Sequence, residues 1–191
     1  ARPDQTLARV KSDSFEQRML SLLVSRRQNH PHLALFLNDE NGAIRNEAVS
    51  AIYDTGALDG PAGKELLSLK LEDFPFHQQA RLVAAYFRIG SKESAKALVE
   101  VCANSILKEE LRIFALEALL RWSIPMDTDP VLGHYRPTLK STFSRTELVA
   151  SSGESIRQLV EKEKSPKLAS LLGKFVMEAG ISMDPVVLRK Q

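Results

Sequence analysis

A chain of 191 residues with 43% hydrophobic and 26% charged residues has the composition of an ordinary globular protein, and its length suits one domain or one run of repeats. Its net charge of +2 provides no overall attraction for nucleic acid, and no apolar run is long enough to cross a bilayer. The single cysteine, Cys102, excludes an internal disulfide and is expected to be a buried, small apolar side chain. Because the chain begins with Ala1 rather than methionine, we expect a mature or excised piece.

The first predicted helix spans Ser12–Arg27. Its apolar residues recur at the spacing of one helical face, so that face is expected to be buried. The helix ends before Pro31, because proline disfavours helical backbone in the residue that precedes it. The residues expected on the buried face are Phe15, Met19, Leu22 and Leu23.

Three helical hairpins are predicted next, each pairing two helices across a turn. Ser91 is a suitable N-cap for the helix that follows it, and Gly90 is a suitable C-terminal glycine for the helix before it. The predicted pairs are 32–38 with 43–53, 62–71 with 76–89, and 92–104 with 108–122.

The second helix of each hairpin contains the same sequence motif, an arginine followed by an alanine three residues later. A period of about 30 to 40 residues with helical patterning indicates stacked helical hairpins. Such solenoids usually bind or position other molecules. Since no segment sustains period-two alternation, we predict an all-α fold, an α-α superhelix of the HEAT-like or armadillo type. The three pairs are Arg45/Ala48, Arg81/Ala84 and Arg112/Ala115.

The regular rhythm of hairpins ends at Trp122. Residues 1–122 are predicted to form the helical hairpins, residues 123–137 a proline-rich loop, and residues 138–191 C-terminal helices that complete the same domain. The loop holds three prolines and one glycine, so it cannot be a continuous helix. The C-terminal helices are expected at 139–149, 154–162 and 166–178, with Gly153 and Gly180 as breaks and a short or frayed tail over 181–191.

The apolar faces of these helices predict the core. Small alanines on the inner faces allow neighbouring helices to approach closely. The predicted core residues are Leu35, Ile44, Ala48, Ile52, Leu82, Ala85, Ile89, Leu98, Ile113, Leu116 and Leu119.

The recurrent arginines have two possible roles. In the first, Arg45, Arg81 and Arg112 form a structural ladder of ion pairs and carbonyl contacts between repeats, with Asp39 as the clearest partner of Arg45. In the second, they form an anion-binding row on the concave face. Recurrence at matching positions favours the ladder, because the stability of repeat proteins rests on the interfaces between neighbours.

The aspartate, short turn, hydrophobic-arginine pair and alanines resemble the HEAT-repeat family of helical solenoids over Pro31–Trp122. Three longer phrases resemble the HEAT segment of large secreted bacterial proteins of the membrane-bound or sorbosone-type dehydrogenase family. The most specific of them is the last, because a generic HEAT repeat does not contain the stretch 122–137. The phrases are FLNDENGAIRNEAVSAIYD (36–54), ARLVAAYFRIG (80–90) and ALEALLRWSIPMDTDPVLGHYRP (115–137).

In that family a quinoprotein-like β-propeller precedes the helical repeats, and a c-type cytochrome domain often follows them. The resemblance therefore implies a scaffold module of a periplasmic or extracellular redox protein, with neighbouring domains or a partner protein as its contacts. This chain holds neither the propeller nor a CxxCH haem site. We accordingly expect no catalytic, metal-binding or cofactor-binding residue in it, no cofactor, no nucleic acid and no membrane insertion.

The proline-rich loop is a possible docking site, because it concentrates polar side chains between helices. The favoured interpretation is that Met126, Val131, Leu132 and Tyr135 plug the end of the helical stack, since stacked repeats need a capped end. Another is that the loop binds a sugar or docks a neighbouring domain. The residues that would carry docking are Asp127, Asp129, His134, Tyr135 and Arg136.

Three functions compete on this sequence. The first is a scaffold within a secreted multidomain redox protein. The second is a free-standing protein-binding solenoid. The third is an enzyme on a HEAT-like fold, such as the alkylated-base DNA glycosylases, which requires a basic groove with aromatic residues and a catalytic acid. The near-neutral charge and single tryptophan disfavour the third.

Overall fold

Helices are the only regular secondary structure in residues 10–138 and 141–182, the part of the chain that the structure, a computed structural model, describes. The one β-type feature within these ranges is an isolated antiparallel bridge between Thr128 and Tyr135. The all-α prediction is confirmed. The tail predicted over 181–191 lies outside the described residues from position 183 onward, as do the first two residues of the helix predicted over 139–149.

The chain divides into two compact units, residues 1–85 and residues 86–191. Unit 1 contains α1 (Phe15–Arg27), a 3-10 helix (Pro31–Phe36), α2 (Gly42–Thr55), α3 (Pro61–Ser68), a second 3-10 helix (Leu71–Asp73) and the first part of α4 (Phe76–Ile89). Unit 2 contains α5 (Lys92–Ala103), α6 (Glu109–Leu120), α7 (Arg145–Lys162) and α8 (Pro166–Ala179).

Local sequence signals set several helix ends. Ser91 caps α5 as predicted, and its side chain and that of Ser94 each accept from the other residue's N–H, which forms a capping box. Gly90 has a φ of 64°, and a Cβ there would lie 2.9 Å from the Cα of Ser141. Its carbonyl accepts from the N–H of Phe143 at 3.1 Å. Glycine is required at this position because residues 141–143 pass directly over it.

α1 buries a different face from the predicted one. Leu22 is fully buried, but Phe15 and Leu23 are 37% and 45% exposed. Arg18 points inward instead, because acidic partners outside the helix bind its guanidinium. The four buried residues of α1 are Arg18, Ser21, Leu22 and Ser25.

Most of the predicted core is buried, and two of its members are not. Leu35 is 52% exposed, because the 3-10 helix turns Leu33 and Phe36 inward. Ile89 is only partly buried, at the last turn of α4. The predicted residues that are buried are Ile44, Ala48, Ile52, Leu82, Ala85, Leu98, Ile113, Leu116 and Leu119.

The C-terminal helices differ from the prediction at Gly153. α7 is one continuous helix of 18 residues that passes through this glycine. A glycine inside a helix costs about 1 kcal/mol relative to alanine. The buried side chains of Leu148 and Ile156 on either side of it anchor the helix and offset that cost.

Candidate functional site

In unit 1 a buried ion pair fastens α1 to the turn before α2. Arg18 donates from Nε to Asp39 at 2.9 Å and from Nη2 to Glu40 at 3.0 Å, and the Asp39 carboxylate raises the pKa of Arg18. Arg45 binds the same turn differently, because its Nη1 donates to the main-chain carbonyls of Asp39 and Glu40 at 2.7 and 3.0 Å. The predicted Asp39–Arg45 contact therefore exists, but through the backbone oxygen of Asp39 and not through its carboxylate.

A second cluster of charges in unit 1 is organised around Asp54 on α2. Its carboxylate accepts from Arg26 on α1 at 2.8 Å and from Arg81 on α4 at 3.4 Å. Arg26 also pairs with Glu47, two turns earlier on α2. Arg81, the second of the recurrent arginines, thus links α4 to α2.

In unit 2 the third recurrent arginine, Arg112 on α6, is 9% exposed. Its Nε donates to the carbonyl of Cys102 at 2.8 Å, near the end of α5, and its Nη2 pairs with Glu163. Burial alone would raise the pKa of Glu163, but the N–H of Ser165 and the Arg112 guanidinium outweigh it and lower that pKa. Burial raises the pKa of Cys102 to about 12, so this thiol stays protonated near neutral pH.

Sequence reasoning named Asp39 but missed the other acids of these clusters and the arginine on α1 that binds Asp39. Arg18, Asp54 and Glu163 each lie more than 20 residues from the partner that they bind. The available signal was an arginine on a helix next to an apolar stripe, which suggests a buried cation but does not identify its acid.

The proline-rich loop folds as a short hairpin between Met126 and Thr138. The N–H of Thr138 donates to the carbonyl of Met126 at 2.9 Å, and the N–H of Arg136 donates to the carbonyl of Asp127 at 2.8 Å. At the tip, the N–H of Asp129 donates to the carbonyl of His134 at 3.0 Å. The loop therefore has a defined backbone geometry, even though it is irregular.

Asp129 organises this hairpin from its interior. It is fully buried, and its carboxylate accepts from the N–H groups of Val131 and Leu132 at 2.9 and 2.8 Å. Arg136 donates to the same carboxylate at 3.1 Å, and Arg88 on α4 lies 3.7 Å from it. An aspartate that binds main-chain N–H groups and two cations is a structural anchor of the loop.

The other residues predicted for docking are placed around this anchor. His134 and Tyr135 are exposed at the tip, and Tyr135 is 76% exposed. The predicted plug is therefore wrong for Tyr135, whereas Met126, Val131 and Leu132 are half-buried. The exposed Asp127 contributes its carbonyl to the hairpin.

A groove runs between α5 and α7, which pack against each other in unit 2. It consists of two cavities of about 660 and 410 Å³ that share Ala103 and Ser155 in their walls. Sequence reasoning gave no indication of it, because its walls come from helices some 50 residues apart in the chain whose lining residues are mostly small or charged. This groove and the hairpin loop are the two candidate functional surfaces of unit 2.

Compared with protein-family models and with curated proteins, the chain matches none. The resemblances to HEAT repeats and to dehydrogenase-associated segments therefore stay predictions. No helix in residues 10–138 or 141–182 is long and apolar enough to cross a membrane. Within the same ranges, no three side chains among His, Cys, Asp and Glu are grouped so that they could hold a metal ion.

Proposed function

We propose that this chain is a non-catalytic scaffold and interaction module, built as a HEAT-like superhelix of helical hairpins. The observation that carries the proposal is the use made of the three recurrent arginines. Arg45, Arg81 and Arg112 all bind main-chain carbonyls or acids in a neighbouring turn or helix. Side chains engaged in this way hold a framework together, as repeat proteins require.

The loop and the groove supply surfaces for the interactions of such a module. The hairpin around Asp129 presents Tyr135 on a backbone that is fixed by hydrogen bonds. Tyrosine is enriched in protein interfaces, because it offers a large amphipathic surface at low conformational cost. A fixed loop also loses little entropy on binding.

The molecular context of the proposal comes from the sequence resemblance. In it, the chain is a segment of a periplasmic or extracellular multidomain protein related to sugar dehydrogenases. It takes no cofactor of its own and holds a propeller and a cytochrome domain at a fixed separation. Its contacts are those neighbouring domains or a separate partner protein.

The test uses the native full-length protein that contains this chain. Its intact mass, haem content and quinone-dependent sugar oxidation are measured first. Replacing residues 15–179 by a flexible glycine-serine linker should leave sugar oxidation with an artificial dye intact and abolish reduction of the haem. A single substitution then tests the loop. If the loop docks a neighbouring domain, Tyr135→Ser should weaken haem reduction and leave dye reduction unchanged.

Other results would assign a different function. A native protein without haem or sugar oxidation would discard the redox context and leave a free-standing protein-binding solenoid. Release of an alkylated base from DNA by the purified chain would overturn the non-catalytic proposal and favour the DNA-glycosylase alternative.

A further inference from the structure

The groove between α5 and α7 has the dimensions of a short extended segment of polypeptide. One cavity is lined by residues from the start of α5 to Ala103 together with Ser151 and Ser155, and the other continues to Lys164. The two helices therefore run side by side in the same direction. α5 has 12 residues and a length of about 18 Å, which matches roughly five residues of extended chain.

The walls of the groove suit a peptide backbone because they offer both donors and acceptors. Ser151, Ser152 and Ser155 form a row of small hydroxyl side chains along α7, and Gln158 continues it. The Ser151 hydroxyl and the Gln158 amide already donate within α7 and meet a ligand as acceptors, whereas the exposed Ser155 hydroxyl can donate as well as accept. An extended peptide has N–H and C=O groups on both edges, and such groups must be paired when they leave water. Small residues such as Ala103 also let a backbone approach closely.

Charge distinguishes the two ends of the groove. The far end of the groove lies at the C-termini of α5 and α7, and the near end lies at the N-terminus of α5. At the far end the lining has three cationic side chains, Arg112, Lys162 and Lys164, and one acid, Glu163. At the near end it has two lysines and two acids, of which Lys96 and Glu100 lie 3.5 Å apart. Because Arg112 is already paired with Glu163, the uncompensated charge at the far end belongs to the two lysines.

The helix ends at the far end offset only part of this positive charge, because each C-terminus carries about half a negative elementary charge against the two lysines. The carbonyls at the C-termini of α5 and α7 carry partial negative charge. Two of them are already bound, since Arg112 donates to the carbonyl of Cys102 and the N–H of Glu163 donates to the carbonyl of Leu159.

From these features we infer that the groove binds an extended acidic peptide segment of a partner protein, with a carboxylate of the peptide placed between Lys162 and Lys164. This inference rests on the proposed role as an interaction module and names the chemistry of its partner. The serine row pairs with the peptide backbone, and the two lysines select for acidic side chains.

The test is a selection from a phage-displayed library of random decapeptides on the purified chain. Clones that bind Ser155→Tyr are removed, because a bulky side chain at this exposed position blocks the groove without entering the core. Surviving peptides are synthesised with a fluorophore, and their affinities are measured by fluorescence anisotropy. We expect enrichment of Asp and Glu and an affinity that falls as salt rises.

A matched pair of charge reversals then locates the binding. Lys164→Glu should weaken binding about threefold to fivefold, and the double variant Lys162→Glu/Lys164→Glu about tenfold. Lys167→Glu makes the same change on an exposed lysine that does not line either cavity, and it should have less than a twofold effect.

Several results would overturn the inference while leaving the scaffold proposal untouched. One is that every clone binds the Ser155→Tyr variant as well as the wild-type chain. Another is that the selected peptides show no enrichment of Asp and Glu. A third is that Lys164→Glu and Lys167→Glu weaken binding equally. Self-association that Ser155→Tyr abolishes would assign the groove to a second copy of this chain. Binding of a fluorescent DNA duplex that the double reversal abolishes would assign it to nucleic acid.

Discussion

α1 and α8 are helices of similar length that are held in their units by different interactions. α1 has 13 residues and α8 has 14. Of the four buried residues of α1 only Leu22 is apolar, and its Arg18 pairs with Asp39 and Glu40. The buried residues of α8 are all apolar: Leu168, Ala169, Leu172, Phe175 and Val176.

The difference shows that the interactions which fix the position of a helix need not be those which contribute most to the free energy of unfolding. An ion pair with hydrogen bonds fixes where a helix lies, but desolvation of the charges offsets most of their attraction. Apolar burial is less directional and contributes about 25 cal/mol for each Å² removed from water. α8 is therefore expected to carry more of the free energy of unfolding than α1.

The largest effect is expected from Phe175→Ala on α8. The ring is fully buried, so its removal leaves a cavity and should lower the free energy of unfolding by about 4 kcal/mol. Urea denaturation followed by circular dichroism measures it. Met177→Ala, on the same helix but 76% exposed, is the control and should change stability by less than about 0.5 kcal/mol.

Arg112→Ala tests whether charge also matters where α8 begins. Glu163 lies just before this helix and would lose its cation while its side chain remains 6% exposed. Removing one partner of such a buried pair should cost about 3 kcal/mol. Arg121→Ala, at an exposed position after α6, is the matched control. Similar unfolding curves for the two variants would mean that apolar burial alone holds α8.

A pair of leucines tests which face of α1 is buried. Leu22→Ala should lower the free energy of unfolding by about 2 kcal/mol, because Leu22 is the one apolar residue on the buried face. Leu23→Ala removes a side chain that is 45% exposed and should cost less than about 0.5 kcal/mol. Equal losses of stability would mean that Leu22 and Leu23 are both buried, as the sequence predicts.

The lowered pKa of Glu163 makes stability depend on pH in the acid range. The ionised form is favoured in the folded state, so its contribution is present above the ordinary pKa of 4.5 and is lost as the pH falls through the lower folded value. Urea denaturation between pH 7 and pH 3 should show the wild-type chain losing stability more steeply than Glu163→Gln. Parallel curves would assign the acid sensitivity to other groups.

The parts of this fold that depend on local sequence could be predicted. The helices of the hairpins lie close to their predicted ranges, and Ser91 caps α5, because caps, glycines and apolar periods act within a few residues. Ser144 and Glu147 form a further capping box at the start of α7. That spacing of Ser and Glu was a usable signal for the helix start.

The parts that depend on distant partners could not be predicted. The acids that bind Arg18 lie 21 and 22 residues away, and these contacts determine which face of α1 is buried. Likewise Asp129 pairs with Arg88 on another element, which no local pattern indicates. An apolar period identifies a helix, but it does not decide which face is buried when a charged residue on another face binds acids elsewhere in the chain, as Arg18 does.

The smallest expected effect tests whether the recurrent arginines stabilise the fold more than ordinary surface cations do. Arg45→Ala removes two hydrogen bonds to the carbonyls of Asp39 and Glu40, and should cost about 1 kcal/mol. Lys92→Ala removes an exposed cation and should change stability little. Thermal unfolding of both variants at matched pH and salt should therefore give a lower Tm for Arg45→Ala. Equal melting points would contradict the structural ladder, and the recurrence of arginine at these positions would then require the other explanation, a row that binds anions.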